Sequence, residues 1–538
     1  MKLQRQIAKN RVVLALSVAL LMAANAWGVN EYVTFINDQG KLTTAGCAVI
    51  DADYLSNYAT TLPYVCHVVK GNLVTDKRIW SSNIISLIIA DGASLTINFN
   101  SQKTDEHAFH SKENIRIFGQ TEQTGALIIN ETGSSYGRGL SADGSIKIFG
   151  GNVTVTSNAR DAIWANGDID IYGGYISATS NATGYDGIES ETGNININWV
   201  NSLYASSYST PLGAVNFTNG LSLKGDNGTN YSGSNPSIAG KTLTPTDYLV
   251  HFVTNGNGSK RAIINGEYKG TASVTDIAAQ SNVVTIDYNR TFTAGVPATV
   301  VLPFSLPEGA TTNAKFYRLK QVVQVDGACA WNASAQNIAT DPAENAIKRP
   351  QANEPYIVML NEGNKLEFYL SSSSVTFNPS NNPTTTVSDG KWNFIGVYSF
   401  KEWRENDGLA YAFAGSNENI KQGKFGKIAI AKDAATTGYP YANPFRAYLK
   451  KKDNTVKLQC PQAVLGQNSA QYSLGHNTET IDVQFIDEDE NGEKTTFMAR
   501  MNTRTGEFTM LPNYDAKGRK IAAPKVRGAY YGKKVLKN

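Results

Sequence analysis

The segment His107–Trp199 repeats one pattern four times: AFHSKENIRIFGQ (108–120), GLSADGSIKIFGG (139–151), AIWANGDIDIYGG (162–174) and GIESETGNININW (187–199). Each version contains a core in which two isoleucines flank one polar residue, and successive cores begin 31, 23 and 26 residues apart. Alternation with a period of two places both isoleucines on one face of a strand. One such strand cannot bury its apolar face alone, but coils stacked about 4.8 Å apart bury it against each other. The repeat therefore predicts a right-handed parallel β-helix.

Length and composition limit what surrounds this repeat. A chain of 538 residues exceeds what one core usually serves, so we expect more than one domain. The net charge of +3 and the charged fraction of 18% argue against the concentrated basic face that a nucleic-acid partner needs. Frequent turn residues and the lack of long helical periodicity indicate an all-β protein.

The chain beyond the repeat divides by its pattern of strands and turns. We expect the parallel β-helix to be followed by a β-sandwich-like domain and by a small C-terminal β segment. The predicted boundaries are a signal peptide (1–26), an N-terminal cap (27–75), the β-helix (76–245), a cap or linker (246–281), the sandwich-like module (282–452) and the C-terminal segment (453–538).

The N-terminus has the pattern of an export signal. Basic residues precede an apolar run from Val12 to Ala24, and Ala24-Asn25-Ala26 offers small residues for cleavage. The run is too short to span a bilayer, and no other stretch approaches membrane length. We therefore expect an exported protein without a transmembrane segment in its mature chain.

Four cysteines in an exported chain are compatible with two disulfides. Pairing Cys47 with Cys66 and Cys329 with Cys460 would keep each bond within one predicted domain. The sequence alone leaves three pairings open, and the spacing fits no zinc site.

Acidic residues recur at equivalent positions of the coils. When the coils are aligned on Leu140, Ile163 and Ile188, the position two residues earlier holds Arg138, Asp161 and Asp186, and the position three residues later holds Asp143, Asn166 and Glu191. Calcium favours several hard oxygen ligands, so one reading is a calcium site. Its predicted ligands are Asp143, Asp161, Asp186 and Glu191. The other reading is that Arg138 pairs with Asp161 while the remaining acids face solvent.

Aromatic residues also form ladders. Trp164 follows the aligned position directly, so alternation points it outward, where it is either covered by a loop or offered as a platform for a sugar ring. Phe118, Phe149 and Tyr172 form a second ladder, for which a structural role in holding the coils in register is favoured. We identify no catalytic residues, because no pair of carboxylates is placed for glycoside hydrolysis and the histidines lack a third metal ligand.

The repeated Ile-x-Ile-Phe/Tyr-Gly-Gly cores, led by Asp161-Ala-Ile and Asp186-Gly-Ile, resemble a carbohydrate-binding β-helix family found on the surfaces of plant-fibre-degrading bacteria. That family is similar in fold to pectate lyases but is regarded as non-catalytic, with calcium held by acidic residues. The resemblance implies polysaccharide binding, for which the candidate contacts are Trp164, Tyr172 and Arg138. It departs at Arg138 and His107, which replace the leading acid in earlier coils.

Two further resemblances concern export. Asn289-Arg-Thr-Phe292, Val301-Leu-Pro-Phe304 and Pro444–Tyr448 look like a module common in surface proteins of the Bacteroidetes–Fibrobacteres bacteria. The end of the chain, with Asn502–Glu507, Tyr514–Arg519 and Gly528–Lys537, resembles C-terminal sorting segments of the type IX secretion system. This resemblance implies the type IX machinery as a partner and a secreted or outer-surface location.

The sequence-based expectation is therefore a secreted or cell-surface protein that binds polysaccharide without cleaving it, with plant cell-wall polysaccharide as the expected ligand. One alternative is a calcium-dependent polysaccharide lyase on the same β-helix. Another is a structural adhesin that binds protein or cells.

Overall fold

The computed structural model describes most of residues 30–456, a strand at 480–488 and the backbone of short strands between 494 and 531. Within 30–456 the undescribed positions are 38–41, 59–61, 63–65, 104–105, 121, 135, 210–214, 235, 255–257, 325–330, 344–345, 389, 406–407, 414–423 and 432. The predicted signal peptide, Cys329, Cys460 and most of the predicted sorting tail lie outside the described residues.

The chain divides into two compact units. Unit 1 contains Met1–Thr246 and Val253–Ser259, and unit 2 contains Asp247–Phe252 and Lys260–Asn538. Among the described residues, no helix is long and apolar enough to cross a membrane.

The described part of unit 1 consists of short strands and one helix. In chain order the elements are β1 (Asn30–Ile36), β2 (Leu42–Ile50), α1 (Ala52–Tyr58), β3 (Cys66–Val69), β4 (Asn72–Thr75), β5 (Ile79–Ser81), β6 (Ile85–Ile89), β7 (Ser94–Phe99), β8 (Phe109–Ser111), β9 (Ile115–Gly119), β10 (Ala126–Glu131), β11 (Leu140–Ala142), β12 (Ile146–Ile148), β13 (Asn152–Ser157), β14 (Ile163–Ala165), β15 (Ile169–Ile171), β16 (Tyr175–Ser180), β17 (Ile188–Ser190), β18 (Ile195–Ile197), β19 (Ser202–Ala205), β20 (Tyr208–Ser209), β21 (Val215–Phe217), β22 (Ser222–Gly225), β23 (Asn230–Ser232) and β24 (Lys241–Pro245).

These strands form three stacked sheets, which confirms the predicted parallel β-helix. Sheet A has the order β1-β2-β3-β6-β9-β12-β15-β18-β21, sheet B the order β20-β17-β14-β11-β8-β5, and sheet C the order β23-β22-β24-β19-β16-β13-β10-β7-β4. Each full coil contributes one strand to sheet B, then one to sheet A, then one to sheet C, as in β8, β9 and β10. Neighbouring coils pair in parallel, so each coil satisfies the backbone groups of the next.

The four repeated cores lie side by side in sheet A. Ile115, Ile146, Ile169 and Ile195 occupy the same register position in successive strands. The second isoleucines of the cores follow the same register, and all eight side chains are buried. The alternation read from the sequence therefore places a continuous apolar ladder inside the coil stack.

The aromatic ladder holds a corner of the coils after sheet A. Phe118 stacks on Phe149 with ring centroids 4.9 Å apart, and Phe149 stacks on Tyr172 at 5.1 Å, with the planes nearly parallel in both pairs. The next backbone positions bend sharply. Gly151 and Gly174 have φ of 85° and 95°, and a side chain at Gly174 would meet the carbonyl oxygen of Gly151 at 2.5 Å. This corner therefore requires glycine as well as stacked rings.

The predicted N-terminal cap continues the coil stack. β1 and β2 form an antiparallel hairpin at the edge of sheet A, and β2 then pairs in parallel with β3. A disulfide joins Cys47 of β2 to Cys66 of β3, one of the pairings that the sequence leaves open. This hairpin occupies the end of the sheet, where an uncovered strand would otherwise present unpaired backbone groups.

After β24 the described chain continues almost entirely as strands. They are β25 (Val250–Thr254), β26 (Lys260–Asn265), β27 (Gln280–Asn289), β28 (Ala298–Val301), β29 (Thr311–Thr312), β30 (Ala314–Gln324), β31 (Trp331–Asn337), β32 (Pro355–Leu360), β33 (Phe368–Tyr369), β34 (Val375–Phe377), β35 (Thr384–Val387), β36 (Trp392–Val397), β37 (Lys401–Glu402), β38 (Ala410–Phe413), β39 (Phe425–Lys427), α2 (Ala434–Thr437), β40 (Tyr441–Ala442), β41 (Arg446–Lys451), β42 (Thr480–Glu488), β43 (Lys494–Phe497), β44 (Ala499–Met501), β45 (Phe508–Met510), β46 (Asn513–Asp515), β47 (Lys520–Ile521) and β48 (Tyr530–Tyr531).

Unit 2 is built around two main sheets, consistent with the further β domain that the sequence predicts. A four-stranded sheet has the order β25-β26-β27-β34, and an eleven-stranded sheet contains β28, β30–β32, β35, β36, β38, β39 and β41–β43. Side chains from both sheets, including Ile264, Ile286, Phe316 and Tyr356, share one apolar core. The two sheets therefore pack face to face through this core.

Two segments pair with strands that lie across the predicted boundaries. The predicted linker 246–281 supplies β26 and the buried residues Ala262 and Ile264 to the core of unit 2. Strand β42, placed by the sequence in a separate C-terminal segment, pairs with β31 and β39 of the large sheet. These long-range pairings join segments that are far apart in sequence, so local patterns do not reveal them. Strand β42 also pairs antiparallel with β43.

The aromatic ladder leads to a stability prediction. Phe149 is 3% exposed and lies between two stacked rings, so Phe149→Ala removes both contacts and leaves a cavity. We expect the free energy of unfolding to fall by about 3 kcal/mol. Urea denaturation measures the loss, and hydrogen exchange at β9 and β15 assigns it to the coil stack. Tyr32→Ala, at a position that is 77% exposed, is the matched control with little expected change. Equal stability of the two variants would contradict a role for the ladder.

Candidate functional site on sheet B

The outward row of sheet B is the feature that brings the sequence-predicted residues together. Each of strands β5, β8, β11, β14 and β17 is three residues long, and its middle residue alternates with two inward ones. The middle residue is partly exposed in four of these strands, whereas Ser141 of β11 is buried. These middle residues stand in register in the order Trp80, His110, Ser141, Trp164 and Glu189. Parallel pairing spaces them about 4.8 Å apart, so they form one continuous line of side chains.

A buried ion pair flanks this row. Arg138 Nε lies 3.2 Å from Asp161 Oδ2, and the two residues are 7% and 1% exposed. The other carboxylate oxygen of Asp161 accepts the backbone N–H of Asp186 at 3.0 Å. A buried charge is tolerated when it is paired and hydrogen-bonded, as both members are here. This is the second of the two readings that the sequence left open for Asp161.

The same arginine covers Trp164. The guanidinium carbon of Arg138 lies 3.9 Å from the centroid of the Trp164 ring, and Trp164 Nε1 donates to Glu191 Oε2 at 3.4 Å. Trp164 is therefore half-buried, with one face occupied by a cation and its N–H directed at an exposed acid. The ring is held in a defined orientation, although it is not the bare platform that one sequence reading required.

The loop before β11 positions Arg138. Glu131, the last residue of β10 before this loop, is fully buried. Its carboxylate accepts from Ser101 Oγ at 2.7 Å, from the Gly133 N–H at 2.6 Å and from Ser157 Oγ at 3.3 Å. Side chains at Gly133 or Gly137 would meet Ser101 at 2.0 or 2.5 Å. Close packing and the buried carboxylate of Glu131 thus anchor the loop between β10 and β11. This loop places Arg138 at the edge of the row.

The predicted calcium ligands do not converge. In the part of the chain that the structure describes, no three His, Cys, Asp or Glu side chains come together as a metal site. Both carboxylate oxygens of Asp161 are engaged by Arg138 and by the backbone of Asp186. Asp143 is exposed beside His110, and Glu191 accepts from Trp164. These residues do not fit a calcium ion, because the ion would compete with the buried Arg138 for the carboxylate of Asp161.

Tyr172 lies apart from the sheet B row. Its ring stacks on Phe149 at the corner after sheet A, and burial, with help from Asp170 and Asp168, raises its pKa to about 12. Of the three predicted sugar contacts, the structure therefore brings together Arg138 and Trp164 and separates Tyr172 from them. The stacking gives Tyr172 the role in coil-to-coil packing that the sequence favours for this ladder.

The electrostatics of the row favour neutral histidine and protonated glutamate. Burial lowers the pKa of His110 in the row. Burial, together with the charges of His110, Arg138, Arg160 and Arg78, lowers the pKa of the neighbouring His107 to about 3. Burial also raises the pKa of Glu189 to about 8, reinforced by the charge of Asp161 and by a hydrogen bond to it. Glu189 is thus mainly protonated near neutral pH and offers an O–H donor as well as an acceptor.

Sequence reasoning missed three residues of this site. Trp80 begins the outward row, and extending the coil alignment back to Ile79 identifies it. Glu189 was not among the predicted site residues, because its perturbed pKa depends on Asp161 of the neighbouring coil. Glu131 carried no sequence signal, because its role depends on donors brought in from Ser101 and Ser157 of adjacent coils.

The ion pair leads to a prediction about stability. Arg138→Met removes the cation that hydrogen-bonds to the Asp161 carboxylate, which is 1% exposed, and leaves it only the more distant Arg160 Nε at 4.0 Å. We expect the free energy of unfolding to fall by about 3 kcal/mol. The double variant Arg138→Met/Asp161→Asn removes the buried charge and keeps the acceptor for the Asp186 N–H, so it should recover at least half of the loss in urea denaturation. No recovery would mean that the charge pair is not what stabilises this edge.

Glu189 leads to a prediction about pH. Its ordinary pKa is 4.5 and the folded protein raises it to about 8, so the folded state holds the proton to higher pH than the unfolded chain. Its stabilising contribution is complete below about pH 4.5 and is lost as the pH rises to about 8. Glutamine does not titrate, so the stability of Glu189→Gln relative to wild type should increase across this range. Urea denaturation near both ends of this pH range measures the difference in the free energy of unfolding between Glu189→Gln and wild type.

The control for this titration is Tyr32→Ala, at a position that is 77% exposed on β1 and carries no carboxylate. It should follow wild type at both pH values. The assignment to Glu189 fails if Glu189→Gln and wild type show the same dependence on pH.

No family model, no curated protein and no solved structure matches this chain.

Proposed function

We propose that unit 1 is a carbohydrate-binding module of a secreted or cell-surface protein, and that it holds a polysaccharide chain along sheet B without cleaving it. The observation that carries the proposal is the continuous outward row from Trp80 to Glu189, in which aromatic and hydrogen-bonding side chains share one register. A polymer of repeated units matches a surface whose contacts repeat along one axis. Sugars offer apolar C–H faces and many hydroxyls, which aromatic rings and polar side chains complement.

The rigidity of the row supports binding. Trp164 is clamped by Arg138 and by its hydrogen bond to Glu191, and the His110 ring makes a 2.9 Å hydrogen bond with Ser141 Oγ. Side chains that are already ordered lose little conformational entropy when a ligand arrives. Glu189 and Glu191 then supply donors and acceptors for hydroxyl groups beside the ring.

Non-catalytic binding is favoured over the lyase alternative by the state of Arg138. A lyase requires a base that removes a proton from the sugar, yet Arg138 is paired with Asp161 and covered by Trp164. The calcium that the lyase alternative needs has no fitting ligand set among these residues. The resemblance to a cell-surface β-helix family supports plant cell-wall polysaccharide as the ligand, and the resemblance of the C-terminus to type IX sorting segments supports export by that machinery.

Binding is tested by affinity electrophoresis of the mature full-length protein through gels that contain individual plant cell-wall polysaccharides. We expect retardation by at least one polysaccharide and at least tenfold weaker binding by Trp164→Ala, which corresponds to about 1.4 kcal/mol. Tyr32→Ala, which is exposed on β1, is the control that should bind as wild type does. Circular dichroism confirms that both variants keep their strands.

Three outcomes would contradict the proposal. Absence of retardation by every polysaccharide favours the structural adhesin. Unsaturated products that absorb in the ultraviolet after incubation with pectin favour the lyase. Unchanged binding by Trp164→Ala removes the site from sheet B.

A further inference from the structure

Sheet C carries an outer face of a different chemical character. Its alternate residues point away from the core and stand in three registered rows across strands β4, β7, β10, β13, β16 and β19. All of them are at least partly exposed. The rows are Asn72, Ser94, Ala126, Asn152, Tyr175 and Ser202; Val74, Thr96, Ile128, Thr154, Ser177 and Tyr204; and Asn98, Asn130, Thr156 and Thr179.

None of these residues is charged. The equivalent outer row of sheet A contains Arg116, Lys147 and Asp170, and sheet B is edged by Asp143 and Glu191. Protein surfaces usually carry about a quarter to a third charged residues, which keep exposed sheets from associating nonspecifically. Exposed charged residues lie on this sheet only beyond these rows, where it continues through β24 to β22 and Lys224 is exposed, and where Asp226 Oδ2 accepts from the Thr242 N–H at 3.1 Å. The uncharged rows suit a ligand that is itself uncharged, because no ionic group in them must lose its water without a partner.

Two tyrosines stand next to each other on this face. Tyr175 is 47% exposed and begins β16, and Tyr204 lies on the neighbouring strand β19, where it pairs with Ser177. Tyr204 is thus one strand across from Tyr175 and two residues further along, which places their Cα atoms about 8 Å apart. Exposed aromatic rings on a flat sheet need a reason, and contact with the apolar face of a sugar provides one.

Some polar groups elsewhere on the same face, on β4, β7 and β10, are ordered in advance. Asn130 Nδ2 donates to Asn98 Oδ1 at 2.8 Å, and Ser94 Oγ donates to Asn72 Oδ1 at 2.9 Å. Each amide and hydroxyl in such a ladder keeps further donor and acceptor capacity toward solvent. The rows therefore offer hydroxyl and amide groups in a regular array, with methyl groups from the threonines between them.

We propose that the outer face of sheet C is a second polysaccharide-binding surface, specific for uncharged chains, with Tyr175 and Tyr204 as its aromatic contacts. The inference rests on the proposed function for the class of ligand, but it assigns a different face and different residues. Thr154, Ser177 and Thr179 lie beside the rings and donate and accept hydrogen bonds with sugar hydroxyls. Because these rows contain no ions, binding to them depends little on salt.

The test compares the two faces in the full-length protein. The variants are Tyr175→Ala/Tyr204→Ala, the charge insertion Ser177→Asp, and Trp164→Ala on sheet B, with Tyr32→Ala as the control. Calorimetry measures their binding to a neutral β-glucan and to polygalacturonate at low and high salt. We expect both sheet C changes to weaken binding of the neutral glucan at least tenfold at either salt concentration. The Trp164→Ala variant should keep the part of neutral-glucan binding that sheet C provides, and adding Ser177→Asp to it should abolish that part.

The outcomes separate this inference from the proposed function. Unchanged affinity of the tyrosine double variant for neutral glucan, with binding still lost in Trp164→Ala, overturns the sheet C site alone. Loss in the sheet C variants with unchanged binding by Trp164→Ala supports this site and overturns the sheet B assignment. Absence of binding to either polysaccharide by wild type overturns both. A wild-type dimer that Ser177→Asp converts to a monomer in sedimentation, without any effect on glucan affinity, identifies a second copy of the chain as the occupant and also overturns the inference.

Discussion

Parallel register between coils is the constraint on which unit 1 depends. Ile115, Ile146, Ile169 and Ile195 share one register position. The remaining strand residues of each coil are thereby also placed opposite their equivalents in the neighbouring coils. A slip of one residue would exchange the inward and outward faces, so the buried isoleucine ladder enforces the alignment of the outer rows as well. The core thereby determines where potential binding residues stand, although it contacts no ligand itself.

The three faces use this alignment in different ways. The corner after sheet A stacks Phe118, Phe149 and Tyr172 and serves packing. Sheet B combines aromatic rings with a buried ion pair, and the charges there hold Trp164 in place. Sheet C keeps its outer rows free of charge. One backbone architecture therefore presents chemically distinct surfaces, and each must be judged by its own side chains.

Buried polar groups connect the coils at the edge of sheet B. Glu131 accepts from two different coils, and Asp161 links Arg138 to the backbone of Asp186. Such networks are stable only when every member is satisfied, so they restrict the loop before β11 to one arrangement. The same requirement explains why a calcium ion does not fit, since the carboxylate that it would need is already neutralised by an arginine.

The sequence by itself determined the fold of unit 1, because an alternation that repeats in every coil reports directly which side chains are inside. It also identified the rows that contain Arg138, Asp161 and Trp164, since equivalent residues of successive coils stack. Only the tertiary structure decided what those residues do. It covered Trp164 with Arg138, neutralised Asp161, placed Tyr172 at another corner, and joined β42 to the large sheet of unit 2. The physical reason is that burial is a local property that repeats along the chain, whereas the pairing of charges and the pairing of distant strands depend on which loops and segments meet in space.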